Sequence, residues 1–360
     1  VWGMALCGLY IIVSIHGDRP MTRLYYRTST TIFAPIFLPL LILFTLLANT
    51  PCTTFAQPPD TLWTRTWDHE TDYEGIDAVR GLSDGGYIAT GRTFYQNDTV
   101  VIWTARLDAD GNLIWEDFED FGSPSTDAGH HIEPTMDGGF IECGESWTPM
   151  PNLQADAYLR KLDAHGNVEW AQTYDMGGSG ELFYCVREVV DGGFVAAGNL
   201  GVIWSDHYYV VRFDENGSIL WGVPTPVINY VPKWVEPTSD GGFLVRATLT
   251  DGEVYHAIYK IDSQGDLLWI NDEVMPGQRE YGWVECIREN DQGEIFTSGK
   301  LFNETGVDFC ISKRNSDGSF IWTTFVAHPA WDEGSDDAEK LCILADGNVV
   351  AAGSAQDEST

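Results

Sequence analysis

Positive charge is the scarcest property of this chain: 20 Lys and Arg stand against 54 Asp and Glu in 360 residues, a formal net charge of -34. A field of that sign repels nucleic acid and anionic lipid headgroups, so polyanionic partners are excluded. Catalytic and metal signatures are missing as well. No HExxH or GxSxG occurs, the seven cysteines show no CxxC spacing, and the one histidine pair, His130-His131, is adjacent, which on a strand sends the two rings to opposite faces. Apolar residues of helical period are absent too. What is plentiful is apolar and aromatic surface: 44 % hydrophobic residues, 13 % aromatics and 14 Trp, more than a disordered acidic chain carries. The chain therefore has the means to fold.

Residues 32–48, IFAPIFLPLLILFTLLA, form an uncharged apolar run with Arg23 and Arg27 before it and Thr54-Phe55-Ala56 after it. A basic start, an apolar middle and a small-residue cleavage site are the parts of a secretory signal, with Met21 the natural first residue. Residues 1–20 read as upstream translation or a second apolar segment. The alternative is a signal anchor, since the run approaches spanning length. Residues 1–56 are thus expected to be a leader and residues 57–360 one repeat domain, secreted or at the cell surface. Cleavage after Ala56 leaves 17 basic against 53 acidic residues. Because a repeat would continue past Thr360, a longer protein is expected, truncated here at the C-terminus.

A repeat of about 50 residues dominates the rest, and such a period fixes an architecture before any strand is assigned. Asp-Gly-Gly-aromatic stands at residues 84–87, 137–140, 191–194 and 240–243, with degenerate copies beginning at Asp291 and Asp346. The spacings are 53, 54, 49, 51 and 55. In phase with it runs a second mark, LDADGNLIW ending at Trp115, whose copies end at Trp170, Trp221, Trp269 and Trp322. Leu62-Trp63 is the orphan tail of one more copy.

Each unit reads as four short strands. In the first unit these are Ile76 to Leu82, Tyr87 to Gly91, Val100 to Leu107 and Asn112 to Trp115, with the Asp-Gly-Gly and Asp110-Gly111 turns between them. Four strands in some 50 residues is the blade of a β-propeller. An all-β propeller of about six blades is expected, five whole and one composite. The composite blade joins the Trp63 fragment to two strands ending near Gly353, lacks its third strand, and would leave the ring without exposed edges.

Because the units are copies, recurrence can be read within the one chain. The repeated tryptophans Trp115, Trp170, Trp221, Trp269 and Trp322 are expected to be buried between blades, each indole N-H bonded to a backbone carbonyl. Arg106, Lys161, Arg212, Lys260 and Lys313 occupy a repeated basic slot, suited to pairing along or across the strand. Outside the leader, Cys143, Cys185, Cys286, Cys310 and Cys342 read as buried free thiols, with a Cys286 to Cys310 disulfide as the alternative.

DADGN at residues 108–112 offers hard oxygen ligands, yet the sixth position, where a calcium loop needs glycine, is Leu113, so a hairpin turn is expected. Acidic residues precede the first strands: Asp72, Glu74, Asp127, Glu181, Glu280, Asp336 and Asp337. If first strands line a channel, Asp72, Asp127, Glu181, Glu280 and Asp336 would gather at its mouth and take calcium, or else remain solvated loop charges. Apart from calcium no cofactor is expected, and no catalytic residue stands out.

DGGYIATG at residues 84–91 with LDADGNLIW at residues 107–115, repeated through residues 61–353, resembles the repeats of secreted bacterial β-propeller proteins, many of which carry a type IX secretion sorting domain. The tryptophan mark is also similar to the docking motif of quinoprotein-like propellers, shortened by one residue in the turn. The resemblance implies fold and compartment; the quinone-binding residues and the sorting domain have no counterparts here. The expectation is a monomeric, exported, non-enzymatic scaffold or binding module with a protein or glycan partner. A secreted enzyme on a quinoprotein-like or glycan-processing propeller is the alternative.

Overall fold

The computed structural model describes residues 9–15, 74–95, 99–121, 126–147, 154–175, 180–199, 208–226, 230–249, 256–271, 282–303, 306–326, 335–343, 347 and 349–356, and statements of absence below concern these. They form strands and turns with no helix.

Strand β1 (Leu9–Ile15) comes first in the chain. The first blade is β2 (Glu74–Gly81), β3 (Tyr87–Tyr95), β4 (Thr99–Leu107) and β5 (Leu113–Glu119). The second is β6 (Ala128–Pro134), β7 (Phe140–Trp147), β8 (Ala155–Leu162) and β9 (Val168–Tyr174). The third is β10 (Leu182–Glu188), β11 (Phe194–Asn199), β12 (Tyr208–Phe213) and β13 (Ile219–Pro224). The fourth is β14 (Tyr230–Pro237), β15 (Phe243–Leu249), β16 (His256–Ile261) and β17 (Leu267–Asn271). The fifth is β18 (Gly282–Glu289), β19 (Ile295–Asn303), β20 (Gly306–Arg314) and β21 (Phe320–Val326), followed by β22 (Ser335–Ile343) and β23 (Val349–Gln356).

Each of the five blades is an antiparallel meander in chain order. The fourth strand runs beyond the repeated tryptophan, to Glu119 in the first blade. In the sixth sheet β22 pairs with β23, and β23 pairs with β1 from Leu9 opposite Ala355 to Ile15 opposite Val349. The place left vacant by the sequence pattern, a third strand, is thus taken by a segment with the β-branched run Ile11-Ile12-Val13, which favours a strand. The apolar run 32–48, the cleavage site and Trp63 lie outside the described residues.

Blades meet through apolar side chains of their inner strands, and two repeated devices add to this, one between blades and one within each. In the first, the tryptophan of one blade lies on the fourth-strand turn of the next. That turn puts its glycine at positive φ (Gly166 +84, Gly217 +80, Gly265 +88, Gly318 +80), open to glycine without strain. A Cβ at Gly166 or Gly217 would fall 2.9 Å from the ring of Trp115 or Trp170, so glycine is required twice over. Trp221 and Trp269 donate their indole N-H to Ser263 O (3.2 Å) and Ser316 O (3.1 Å) of the following blade. The expected carbonyl partner is thus present for these two, but the expected burial is not: all five tryptophans are half-buried. One indole face covers the neighbouring turn while the fourth strand, outermost in its sheet, leaves the other side open.

The second device joins two marks that looked independent in the sequence. The basic slot on the third strand reaches the aspartate of its own blade's Asp-Gly-Gly turn: Arg106 to Asp84, Lys161 to Asp137 (2.8 Å), Arg212 to Asp191 (2.8 Å) and Lys260 to Asp240 (2.6 Å). In the fifth blade, where the turn is degenerate, Lys313 pairs with Glu294 instead (2.9 Å). Burial opposes ionisation of Asp137 and Asp240, but the hydrogen bonds from the lysine, from Thr135 or Thr238 and from the Gly139 or Gly242 N-H, with the lysine charge, together outweigh it and hold both carboxyls at about 2. Between the first and second blades lies a wholly buried ion pair. Arg160 donates Nε-H to Glu142 (2.8 Å) and Nη1-H to Asp117 (2.6 Å), while Thr104 Oγ1 donates to Glu142 (2.8 Å).

Four of the five described cysteines are buried free thiols, and Cys185 and Cys286, at one repeated place, donate to the next blade's Val235 O and Leu341 O. Cys342 departs from expectation and is exposed.

Candidate functional site: the central well

Every first strand carries a β-bulge at the same place. The ladder skips one residue between Ile76 and Ala78, Gly129 and His131, Phe183 and Cys185, Pro232 and Trp234, and Val284 and Cys286. The unpaired residues are Asp77, His130, Tyr184, Lys233 and Glu285. A bulge turns one side chain out of the alternation, and bulges are common beside binding sites. Room for it comes from the second strand: a Cβ at Gly144 would fall 1.9 Å from Ala128 O. In the fourth blade the break follows Pro232, which has no N-H to give the ladder.

First strands touch one another around the axis. Toward the Asp-Gly-Gly turns they are linked by Arg80, Glu133, Arg187, Glu236 and Arg288, one from each blade at one equivalent place and alternating in sign. Arg80 lies 2.6 Å from Glu133, Arg187 contacts Glu133 and lies 3.1 Å from Glu236, and Arg288 lies 2.7 Å from Glu236. The sixth position of this series is Cys342. Trp234 fills the middle: its ring centre lies 4.6 Å from the guanidinium carbon of Arg187, 4.8 Å from that of Arg288 and 5.8 Å from that of Arg80. Arg80 belongs to the blade three places away, so the indole reaches across the axis and floors the channel.

Above that floor the bulge residues form the wall, and their chemistry does not repeat. His130 stands between two carboxylates, Nδ1 3.8 Å from Asp77 and Nε2 3.6 Å from Glu145. Burial raises the Glu145 pKa, but the bond and charge of His130 outweigh it and hold the carboxyl below its usual range. The His130 and Tyr184 rings are 6.1 Å apart, and Lys233 Nζ lies 3.2 Å from the centre of the Tyr184 ring. Across the bulge from Lys233 the register sets Arg246, which donates to Val284 O (3.0 Å) and lies 3.5 Å from Glu285.

Burial first, and then the charge of Arg246, pulls the Lys233 pKa down to about 7. The same causes bring His256, behind Arg246, down to about 3, so its imidazole is neutral at pH 7. Among the described residues no carboxylate lies within ion-pair distance of Lys233; its direct contact is the Tyr184 ring. An amine with that pKa, set on a bulge beside the axis, can hold an anion, accept a proton or act as a nucleophile.

The acidic residues singled out in the sequence lie elsewhere. Asp127 is buried at the seam of the first two blades, where it accepts the backbone N-H of Phe121 and of Trp147, both at 3.1 Å. Burial raises its pKa against those bonds. Glu181, the equivalent residue one blade on, is buried and lies beside the half-buried Asp156 and the exposed Asp175, their carboxylate oxygens within 4.8 Å of one another. An all-oxygen trio suits a hard cation such as calcium. Asp72 and Glu280 lie outside the described residues, and Asp336 is placed only by its backbone, opposite Ala355. At residues 108–112 Asp108 accepts the N-H of Asp110 (2.9 Å) and of Asn112 (2.8 Å), as a turn requires.

Sequence reasoning missed Lys233, Tyr184 and the Arg-Glu series. A signal existed: glycine recurring inside the second strand marks a bulge opposite, and the alternating charges stand at a fixed distance before each turn.

No protein-family model and no curated protein matches the chain. Solved structures do resemble it. A protein from Lactobacillus plantarum is 13 % identical, with 79 % of this chain and 78 % of that one covered at a TM-score of 0.50. The periplasmic gluconolactonase PpgL of Pseudomonas aeruginosa is 14 % identical over 75 % of each chain, TM-score 0.49. A protein of unknown function from Bacteroides caccae is 11 % identical over 70 % of this chain and 81 % of its own, TM-score 0.45. The likeness is one of fold. With five complete four-stranded blades, a sixth sheet and no helix, this protein is a β-propeller.

Proposed function

We propose that the protein is an exported binding propeller that takes a small carboxylate-bearing ligand into the central well, at Lys233 and Arg246. The observation that carries the reading is Lys233: a half-buried amine turned into the wall by a bulge, beside a second cation and without a carboxylate of its own among the described residues. An anion placed there restores the charge that burial and Arg246 oppose. In a chain of net charge -34 such a cationic spot is a local exception. A second reading, a secreted enzyme, is favoured by His130 between Asp77 and Glu145, an arrangement able to pass protons.

Calorimetric titration of the full chain with lactate, succinate and glucuronate tests the first reading. Saturable binding of at least one, lost in Lys233→Met and Arg246→Met, is expected. Binding that survives both substitutions, or no binding by any of the three, overturns it.

A further inference from the structure

We infer that Lys233 is a covalent capture site for a carbonyl group, so that the ligand class of the well is a small 2-oxo acid or aldehyde acid held as an imine. The inference rests on the carboxylate reading above and adds a bond to it. Of the six lysines in the chain, Lys161, Lys260 and Lys313 are clamped in ion pairs with Asp137, Asp240 and Glu294. Lys233 instead has an aromatic face against its Nζ, and the rotation of the bulge presents it to the well beside Tyr184 and Arg246. A pKa near 7 leaves a large share of the amine unprotonated at neutral pH, the form that attacks carbonyls.

The chemistry needs no further reagent. The Nζ lone pair attacks the carbonyl carbon and forms the C-N bond while the C-O π pair moves to oxygen. The oxygen takes up protons and leaves as water, nitrogen gives up its two protons, and the C=N bond closes. Arg246 is placed to hold the carboxylate of the same molecule. His130, its ring 6.1 Å from that of Tyr184 and set between Asp77 and Glu145, is placed to exchange the protons.

The test treats the full chain with pyruvate, and separately with lactate, in the presence of borohydride at pH 7, and reads intact mass and peptide maps. Pyruvate is expected to add its own mass less one oxygen to Lys233, at least tenfold faster than to Lys161 or Lys260, and lactate to add nothing. Lys233→Arg, which keeps the positive charge, should lose the adduct while its melting temperature shows that it folds. Labelling of Lys233 no faster than of the clamped lysines overturns the inference. If lactate, succinate or glucuronate then still binds by calorimetry, the carboxylate reading stands without the imine; if none of the three does, both fall. Trapping of pyruvate when none of lactate, succinate and glucuronate binds upholds the imine and overturns the noncovalent carboxylate reading.

Discussion

The seams between blades and the wall of the central well are built on one repeated backbone, yet they follow opposite rules of sequence. In the structural positions the same residue returns from blade to blade: at the seams tryptophan on a positive-φ glycine, and inside the blades a cation on the Asp-Gly-Gly turn. On the wall the backbone repeats its bulge while the side chain changes from Asp77 to His130, Tyr184, Lys233 and Glu285. Packing between identical blades poses one problem five times and accepts one answer. A ligand meets all the blades at once, and each must supply a different group. Recurrence therefore marks structure in this chain, and its failure at a repeated backbone position marks the site.

The comparison breaks most visibly at the buried pair between the first two blades. Glu142→Ala leaves Arg160 charged, buried and short of its main partner, and truncating one member of such a pair costs about 3–5 kcal/mol. Urea unfolding should show a loss of that size with ligand uptake in the surviving folded fraction unchanged. A loss of uptake out of proportion to the folded fraction would mean that seam and well are not separate.

The wall should behave in the reverse sense. Lys233 binds its proton less tightly folded, near 7, than unfolded, near 10.5. Between those values the unfolded chain holds more protons, so stability climbs with pH from about 7 to 10 and is lowest, on this account, at and below neutrality. Lys233→Met should abolish that rise and be more stable than the parent at pH 6, measured by urea midpoints from pH 6 to 10. An unchanged profile would place Lys233 in open solvent.

Smaller effects belong to single copies of the repeat. Gly217→Ala forces a side chain into positive φ against the Trp170 ring, and a strained backbone of this kind costs about 1–3 kcal/mol. The melting temperature should fall, and Trp170→Ala in the same chain should relieve part of the clash but not the φ strain. Least of all is the turn clamp. Asp137 has its carboxyl held at about 2 against an ordinary 3.8, so its contribution is present above that ordinary value and is lost as pH falls toward 2. Because the aspartate is more than half exposed, solvent screens the pair and the effect is modest. Asp137→Asn should flatten the parent's loss of melting temperature between pH 4 and pH 2; an unaltered slope would show that the clamp is only geometric.

Much of the fold was legible because its code is local. Asp84 to Tyr87 and Asp108 to Asn112 specify hairpins within a few residues, glycine supplies the left-handed φ, and the period of those turns sets four strands per blade. The Asp-Gly-Gly mark and the basic slot were both visible, but their pairing was not, since Asp137 and Lys161 meet only when the third strand has folded beside the first turn. Asp127 and Glu181 looked alike and acidic, suited to a channel mouth, and it took the seam's Phe121 and Trp147 N-H groups to explain why a carboxylate is buried there.

By itself, then, the sequence determined the repeat, the four-stranded blade, the acidic surface and the positions that pack blade on blade, because each depends on residues close in the chain or on a pattern copied along it. Only the tertiary structure decided the well. Tyr184 and Lys233 are 49 residues apart, Arg80 and Trp234 are 154 apart, and they meet because the strands stand side by side around one axis. Which side chain turns inward was set by a bulge that breaks the alternation of each first strand, and the lowered pKa of Lys233 by burial beside Arg246. Neither burial nor a neighbour from another strand exists for a residue until the chain has folded.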